Sequence, residues 1–243
     1  MASILKIENL SYHYGNSTQP VFEGLTLAVE QGEFIAVVGG SGVGKSTLLR
    51  CVAGLTQASG GRIELNVPHR PASRRRGIVF QDGRLMPWRR LRANVAYGLK
   101  GLALSSAEKR ARVDEVLALT RLEELADRWP HQLSGGQVQR AGIARALAVA
   151  PDLLLMDEPF SAVDAITRQH LQDQLLGIWQ KTRKAVLFIT HDIEEAVYLA
   201  DRVLVLAGSP AAVRLDLSID LPRPRQRNGE ALQSIAHRIA RAL

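Results

Sequence analysis

Two glycine-rich segments carry the residues of this chain that are best suited to chemistry. The first, Gly39-Gly-Ser-Gly-Val-Gly-Lys-Ser46, follows a continuous apolar run, Phe34–Val38, and precedes a helical pattern. In that position glycines let backbone N–H groups approach phosphate oxygens, and the helix N-terminus adds partial positive charge. Lys45 is placed to reach the β and γ phosphates, and the Ser46 hydroxyl to ligate Mg²⁺. The segment therefore predicts a nucleoside triphosphate site.

The second segment, Leu133-Ser-Gly-Gly-Gln137, opens another helical pattern, with Ser134 as its predicted N-cap. Gly135 and Gly136 in a first turn disfavour a helix. They make sense if a ligand must approach the exposed N–H groups closely. One ATP cannot lie against both glycine segments of one chain unless they are adjacent, so the pair predicts a dimer.

An acidic pair follows a third apolar run. Leu153–Met156 is predicted as a buried strand that delivers Asp157 and Glu158 to its carboxyl end. Ligands of open α/β sheets bind at that edge. Asp157 is expected to hold Mg²⁺ through water, and Glu158 is the candidate general base for an attacking water.

Two further polar residues directly follow predicted strands. His191 comes after 185–190, and Gln81 after 77–80. His191 is either a surface or capping residue or a hydrogen-bond donor that clamps a γ-phosphate. Gln81 is either a plain turn residue or a contact to Mg²⁺ or to the attacking water that moves with the segment behind it.

The elements around these residues indicate a single α/β domain, 1–243. Strands are predicted at 4–7, 25–29, 34–38, 61–67, 77–80, 153–156, 185–190 and 203–206, and a half-buried late strand at 215–221. Helices are predicted up to Ala53 with Gly54 as C-cap, at 108–119, 134–149 and 165–182, and after Asn228, which could cap the last one. Because strand patterns vanish over 85–150, that stretch is expected to be a helical insertion. A short C-terminal strand and helix fill 212–243.

Composition excludes some classes of protein. The chain has 243 residues, 46% hydrophobic and 23% charged, which rules against disorder. The net charge of +7 is compatible with binding to nucleic acid or to an anionic membrane surface, or with arginines scattered over a soluble protein. The basic clusters at 74–76, 89–92 and 223–227 are not interleaved with aromatic residues, as a groove for single-stranded nucleic acid would be. Cys51 is the only cysteine, so no internal disulfide is possible and a reducing compartment is favoured; it is expected in the core. We find no secretion signal and no apolar run of about 20 residues that would span a bilayer.

Taken in order, these motifs resemble the ATP-binding cassette (ABC) family over almost the whole chain. Ser161–Asp164 matches its aspartate loop, with Val163 where leucine is usual. The resemblance implies an α/β fold with a P-loop NTPase (RecA-like) core, an N-terminal antiparallel β subdomain and an inserted α-helical subdomain. It also implies two subunits that sandwich two ATP molecules head to tail.

The resemblance assigns roles residue by residue. ATP would contact Tyr14 (or Tyr12 as the adenine-stacking ring), Gly39, Gly40, Ser41, Gly42, Val43, Gly44, Lys45, Ser46, Thr47 and Asp164, and in trans Ser134, Gly136 and Gln137. The expected catalytic residues are Glu158, His191, Gln81 and Lys45, and the expected Mg²⁺ ligands are Ser46, Gln81 and Asp157.

A finer likeness comes from Gln81–Trp88 with Asn94-Val95, and from the tail Leu215–Arg225. These segments resemble the nitrate, sulfonate and taurine importer ATPases, most of all those for aliphatic sulfonates. The resemblance implies a homodimer at the cytoplasmic face of the bacterial inner membrane, beneath two permease subunits. A periplasmic or lipoprotein binding protein would deliver the transported molecule to that permease. The ATPase would not touch the transported molecule, and no nucleic-acid partner is expected.

Several alternatives stay open at this point. The cargo could be taurine, nitrate or a heterocycle in place of an aliphatic sulfonate. From another class, a cassette ATPase that acts on nucleic acid would fit the basic charge, and an exporter ATPase would share the motifs. The apolar Leu85–Trp88 is either one edge of a groove that docks the permease or part of the subdomain core.

Overall fold

A computed structural model of the chain describes residues 3–15 and 19–243. It divides into two compact units, the first formed by Met1–Asn66 with Ala185–Leu243 and the second by Val67–Lys184.

The first unit contains a small antiparallel sheet. Its strands are β1 (Ser3–Tyr12), β2 (Phe22–Glu30) and β4 (Gly60–Leu65), in the order β2-β1-β4. Leu5 of β1 lies opposite Val29 on one side and Leu65 on the other. Alternating residues of β1, among them Leu5 and Ile7, are fully buried because one face of this sheet covers the core.

The first unit also holds the strands that lead to the predicted phosphate loop. β3 (Phe34–Gly39) pairs in parallel with β7 (Ala185–Thr190) and with β8 (Arg202–Ala207), and β9 (Ala212–Ser218) runs antiparallel to β8. Every residue of β3 and β7 is buried, as continuous apolar runs predict for strands covered on both faces. The helices of this unit are α1 (Lys45–Ala53), α6 (Ile193–Leu199) and α7 (Glu230–Ala240).

The second unit pairs two strands and is otherwise helical. β5 (Arg76–Val79) runs parallel to β6 (Leu153–Asp157). The helices are α2 (Leu91–Tyr97), α3 (Ser106–Leu119), α4 (Gly135–Ala148) and α5 (Ala165–Thr182), with 3₁₀ turns at Glu123–Leu125 and Pro130–Gln132. α3, α4 and α5 match the helices predicted at 108–119, 134–149 and 165–182. Whether 85–150 forms a subdomain of its own stays a prediction.

Two local predictions need correction, and two are confirmed. Asn228 does not cap the last helix: Gly229 is the N-cap of α7, because a turn from Gln226 to Gly229 carries the chain past Asn228 first. β9 ends at Ser218 rather than at 221, since Ile219 leaves the strand to donate its N–H to the Asp201 carbonyl at 2.8 Å. Gly54 ends α1 with a φ of 74°, as predicted, and Cys51 is buried. Among the described residues, no helix has the length and apolarity to cross a membrane.

Candidate active site

The phosphate loop connects β3 to α1 in the first unit. Gly39 closes β3, and a Cβ there would lie 2.5 Å from the carbonyl oxygen of Leu206. Gly44, the N-cap of α1, has a φ of 103°, which L side chains rarely adopt. Gly40 and Gly42, by contrast, face open space. Gly42 also has a positive φ, of 78°, so packing or backbone conformation requires a glycine at 39, 42 and 44. Gly40 and Gly42 leave the outer surface of the loop accessible to a ligand.

Lys45 lies over this loop. Its Nζ donates to the carbonyl oxygens of Gly39 at 2.8 Å and Gly40 at 2.9 Å, and the residue is only 5% exposed. The ammonium group is thus already held among the backbone groups where a phosphate would bind, and phosphate oxygens can replace these carbonyls as acceptors. The next residue, Ser46, is half-buried in the first turn of α1.

Of the two candidate adenine-stacking rings, Tyr14 is the accessible one. Its hydroxyl is hydrogen-bonded to Thr47 Oγ1 at 2.7 Å, and 54% of the residue is exposed. Tyr12 packs edge-on against Tyr14, with ring centroids 5.0 Å apart, and is half-buried. The hydrogen bond therefore fixes an exposed aromatic ring beside the phosphate loop.

The Leu133–Gln137 segment begins α4 in the second unit. Ser134 is its N-cap, as predicted, and a reciprocal capping box closes the first turn. Gln137 N donates to Ser134 Oγ at 3.3 Å, and Ser134 N donates to Gln137 Oε1 at 2.8 Å. Ser134 is exposed, so its hydroxyl keeps a lone pair accessible to a ligand beyond this bond.

The two glycines of this turn differ in what requires them. Gly136 is buried, and a Cβ there would lie 3.0 Å from Thr167 Cγ2 on α5. Gly135 is exposed, and its nearest neighbour would be Val163 Cγ1 at an ordinary 3.7 Å. Packing of α4 on α5 therefore explains Gly136, whereas nothing within the described chain requires a glycine at 135.

This difference gives a testable stability prediction. We expect Gly136→Ala to lower the free energy of unfolding by about 1 kcal/mol, since overpacking costs about 1–3 kcal/mol and helix propensity returns about 1 kcal/mol. The adjacent Gly135→Ala is the matched control and should raise it by up to about 1 kcal/mol. Adding Thr167→Ser to Gly136→Ala removes the opposing methyl group and should restore stability. Urea unfolding measures all three, and equal effects of the two alanines would contradict the packing argument.

α4 also holds the backbone that follows Gln81. Gln139 Nε2 donates to the Gln81 carbonyl, and Arg145 donates to the carbonyls of Gly83 at 2.7 Å and Arg84 at 2.6 Å. Gly83 has a φ of 64° and packs directly on α4. The Gln81 side chain is exposed. The helix that begins at Ser134 therefore fixes the main chain of Gln81 while leaving its amide available.

The acidic pair lies at the carboxyl end of β6, as predicted. Asp157 is the last residue of the strand, and Glu158 follows it with a φ of 44°. A positive φ is uncommon outside glycine and often marks a functional site. Ser161 secures this turn, because its N–H and its hydroxyl both donate to the Glu158 carbonyl, at 3.3 and 2.9 Å.

Asp164 and His191 each sit at the entry to a helix. Asp164 is the N-cap of α5, and hydrogen bonds from the backbone and hydroxyl of Thr167 hold the pKa of Asp164 below its usual range. His191 is exposed between β7 and α6. Asp192 N donates to Thr190 Oγ1 at 3.0 Å, so the chain on the far side of His191 is tied back to β7.

The predicted Mg²⁺ ligands fit the ion by their chemistry. Ser46 offers a hydroxyl, Gln81 an amide oxygen and Asp157 a carboxylate, and Mg²⁺ prefers oxygen donors of this kind. Ser46 and Asp157 are half-buried at the ends of regular elements, which restricts their rotamers.

Each unit thus contributes part of the predicted set. The first carries Tyr14, the phosphate loop from Gly39 to Thr47, and His191; the second carries Gln81, Ser134, Gly136, Gln137, Asp157, Glu158 and Asp164. Sequence reasoning missed Gln139 and Arg145. The only signal in the sequence was their position on a largely apolar helix, and α4 also contains Gln137 and Arg140, so the sequence does not single them out.

Comparison with known proteins supports the interpretation of these motifs. The ABC transporter family matches residues 22–161. The taurine import ATP-binding protein TauB of Pseudomonas putida is 44% identical over 234 residues, covering 96% of this chain and 89% of the relative. A Brucella abortus relative named only as an ATP-binding protein is 46% identical over 222 residues, covering 91% and 85%.

Solved structures confirm the predicted fold class. The chain is similar to cbiO1 of Clostridium perfringens, part of the ABC transporter complex cbiONQ, with a TM-score of 0.80 at 30% identity over 99% of this chain and 93% of that one. It is also similar to the ATP-binding cassette MJ0796, a dimer bound to ADP and Pi, with a TM-score of 0.73 at 30% identity over 90% and 100%. The chain therefore belongs to the ABC transporter ATPase family and is an ATP-hydrolysing transport enzyme.

Proposed function

We propose that this chain is the ATPase subunit of a bacterial importer of small sulfonates, working as a homodimer on the cytoplasmic face of the inner membrane. The observation that carries the proposal is the alignment with taurine import ATP-binding proteins. It runs over 96% of this chain, so the similarity includes the tail Leu215–Arg225 as well as the motifs of the core. Two permease subunits and an external binding protein would complete the transporter.

ATP binding in this proposal uses the first unit. Adenine stacks on the exposed ring of Tyr14, which its bond to Thr47 holds in place. The triphosphate lies against the accessible face of the loop at Gly40 and Gly42, and Lys45 turns from the loop carbonyls to the β and γ phosphates. The N-terminus of α1 favours the same negative charge.

Hydrolysis is an in-line displacement at the γ-phosphorus. A water oxygen bonds to phosphorus, the bond to the bridging β-phosphate oxygen breaks, and ADP and inorganic phosphate leave. Glu158 accepts the proton of the water, His191 donates a hydrogen bond to the γ-phosphate, and the Gln81 amide orients the water. Ser46, Gln81 and Asp157 would hold Mg²⁺, which would neutralise the negative charge that develops on the phosphate oxygens.

The second glycine segment acts on the partner subunit's nucleotide. Its exposed Ser134 hydroxyl and the free N–H groups at the start of α4 suit a γ-phosphate. Two subunits related by a twofold axis would then each lend this turn to the other. The likeness to dimeric MJ0796 supports this arrangement.

Leu85–Trp88 is our candidate for one edge of the permease contact. Trp88 is 71% exposed and Pro87 is also exposed, so the alternative interpretation as subdomain core fails for these two residues. Exposed large aromatic residues are enriched at protein interfaces. The segment follows the Gln81–Arg84 backbone that α4 holds, which would link the docking surface to the nucleotide site.

The cargo class is tested with the complete transporter. In proteoliposomes that contain the chain and its permease, binding protein loaded with taurine or a short alkanesulfonate should stimulate ATP hydrolysis, and nitrate-loaded binding protein should not. The Glu158→Gln variant in the same vesicles gives the background. Stimulation by nitrate or a heterocycle alone would refute the sulfonate assignment while leaving the ATPase role intact.

A further inference from the structure

The arginine-rich tail after β9 contacts one particular helix, α6. Arg225 is buried, at 6% exposure, and its guanidinium donates to several backbone carbonyls of that region. Its Nη1 donates to Val197 at 2.7 Å and Ala200 at 2.6 Å, and more weakly to Tyr198 at 3.3 Å. These carbonyls belong to the last turn of α6 and its C-cap, where a helix offers carbonyl groups to donors from outside it.

The same guanidinium ties the tail to itself. Arg225 Nη2 donates to Ile219 at 3.2 Å and Nε donates to Leu221 at 3.3 Å. Burial lowers the pKa of Arg225 to about 10, which leaves it charged at neutral pH. A cation at a helix C-terminus is stabilised by the helix dipole, and a planar fork of donors can serve several carbonyls at once. Arg225 therefore joins the tail to the end of α6.

Two neighbouring arginines complete this contact. Arg223 donates to the carbonyl of Leu199 at 2.6 Å and to the carboxylate of Asp201, whose other oxygen accepts from Phe34 N at 2.9 Å. Arg227 lies over the Tyr198 ring, 3.7 Å from its centroid. We call Arg223, Arg225 and Arg227 the tail clamp. It fixes the C-terminus of α6 to the first residue of β3, the strand that leads to the phosphate loop.

The other end of α6 begins directly after His191. Asp192 is the N-cap, accepting from Glu195 N at 3.1 Å, and α6 spans only Ile193–Leu199. α6 packs on α7 and β3. We expect so short a helix to behave as one rigid element, so that the position of its last turn determines that of its first. His191 lies between this body and β7, with no flexible linker on either side.

We infer that the tail clamp positions His191 for hydrolysis, with Arg225 as its principal positioning residue. This rests on the proposed role of His191 at the γ-phosphate. In this inference Arg223 and Arg225, which belong to the tail that resembles sulfonate importers, serve to position a residue of the ATP site. A displacement of about 1 Å in a positioned group can cost about 10²-fold in rate, so loosening α6 should lower kcat and leave ATP binding unchanged.

The test is a double-mutant cycle on the full chain. Arg225→Lys keeps the charge but loses the planar fork, and Arg238→Lys, exposed on α7, is the matched control. We expect Arg225→Lys to lower the single-turnover rate at least about tenfold with an unchanged Kd for ATP, and Arg238→Lys to have no effect. Excess enzyme over labelled ATP keeps slow variants measurable. If Arg225→Lys folds poorly, Arg223→Gln tests the same clamp through its hydrogen bond to the Leu199 carbonyl of α6.

The cycle separates positioning from simple stabilisation. On a His191→Ala background, Arg225→Lys should cause little further loss, because both changes remove one interaction. If Arg225→Lys lowered the single-turnover rate by the same factor on that background, the tail clamp would not act through His191. A lower melting temperature with an unchanged rate would likewise refute the positioning role of the clamp while leaving the role of His191 intact. A wild-type rate for His191→Ala itself would overturn both the clamp and the role of His191.

Discussion

Glu158→Gln should bind ATP as the wild type does and lose turnover by about 10²–10⁴-fold, the usual contribution of a positioned general base. The amide matches the carboxylate in size but cannot accept the proton of the attacking water. In the proposed dimer each ATP is held by both subunits, and hydrolysis removes the γ-phosphate that the partner's Ser134 turn contacts. The variant should therefore also accumulate as an ATP-bound dimer. Steady-state phosphate release and size-exclusion chromatography with ATP measure the two effects.

The structural reason is local. Glu158 adopts a positive φ at the end of β6, and Ser161 locks that turn by two hydrogen bonds to its carbonyl. The backbone is therefore fixed by groups that the substitution does not touch, and folding should survive it. Because glutamine has the same length and occupies the same place, a loss of turnover can be attributed to the missing proton acceptor.

The opposite end of β6 supplies a matched control. Asp152 precedes the strand and pairs with Arg70 at 3.4 Å. Asp152→Asn also replaces a carboxylate by an amide, directly before β6 and thus at the end away from the predicted ligand edge, and should leave the rate near that of the wild type. Near-wild-type turnover in Glu158→Gln would show that another group accepts the proton.

The strands and the phosphate loop could be predicted because their signals are local. A continuous apolar run such as Phe34–Val38 reports a strand buried on both faces, and the glycine pattern after it reports the turn that such a strand must make. The covalent order of strand, loop and helix fixes where Lys45 lies, so its contacts with the loop carbonyls follow from neighbouring residues alone.

The tail clamp could not be predicted in the same way. Arg225 donates to carbonyls of residues 25–28 positions away, and every residue offers a carbonyl, so no pairing pattern exists in the sequence. The sequence also could not show that packing requires Gly136 but not Gly135, because the difference depends on the contact of Gly136 with Thr167 of α5. Asn228 shows the converse: a good capping residue stood one position early, because a turn shifted the start of α7.

Ser134→Arg should lower turnover by about 10²–10³-fold, comparable with the loss of one transition-state hydrogen-bond donor, while the chain still binds ATP. The exposed hydroxyl of Ser134 would be replaced by a long side chain where the partner's nucleotide is proposed to dock. Phosphate release measures the rate, and binding of a fluorescent ATP analogue shows whether the phosphate loop of the same chain remains intact.

The chain contains its own control for loss of the helix cap. Ser105 begins α3 with the same reciprocal box to Glu108 that Ser134 makes with Gln137, and both serines are exposed. Loss of an N-cap costs about 0.5–2 kcal/mol, so Ser105→Arg should show that stability loss with normal turnover. If Ser105→Arg lost activity equally, destabilisation rather than the trans contact would explain the Ser134 variant.

Mixing the two inactive variants decides whether Ser134 acts in trans. In a heterodimer of Ser134→Arg and Glu158→Gln, one nucleotide site would combine an intact Glu158 with an intact Ser134 from the partner, and the other would lack both. Random exchange before ATP is added should therefore restore up to about a quarter of wild-type turnover, because half of the dimers would carry one intact site of two. If both residues served the same subunit's nucleotide, every site would be defective and mixing would restore nothing.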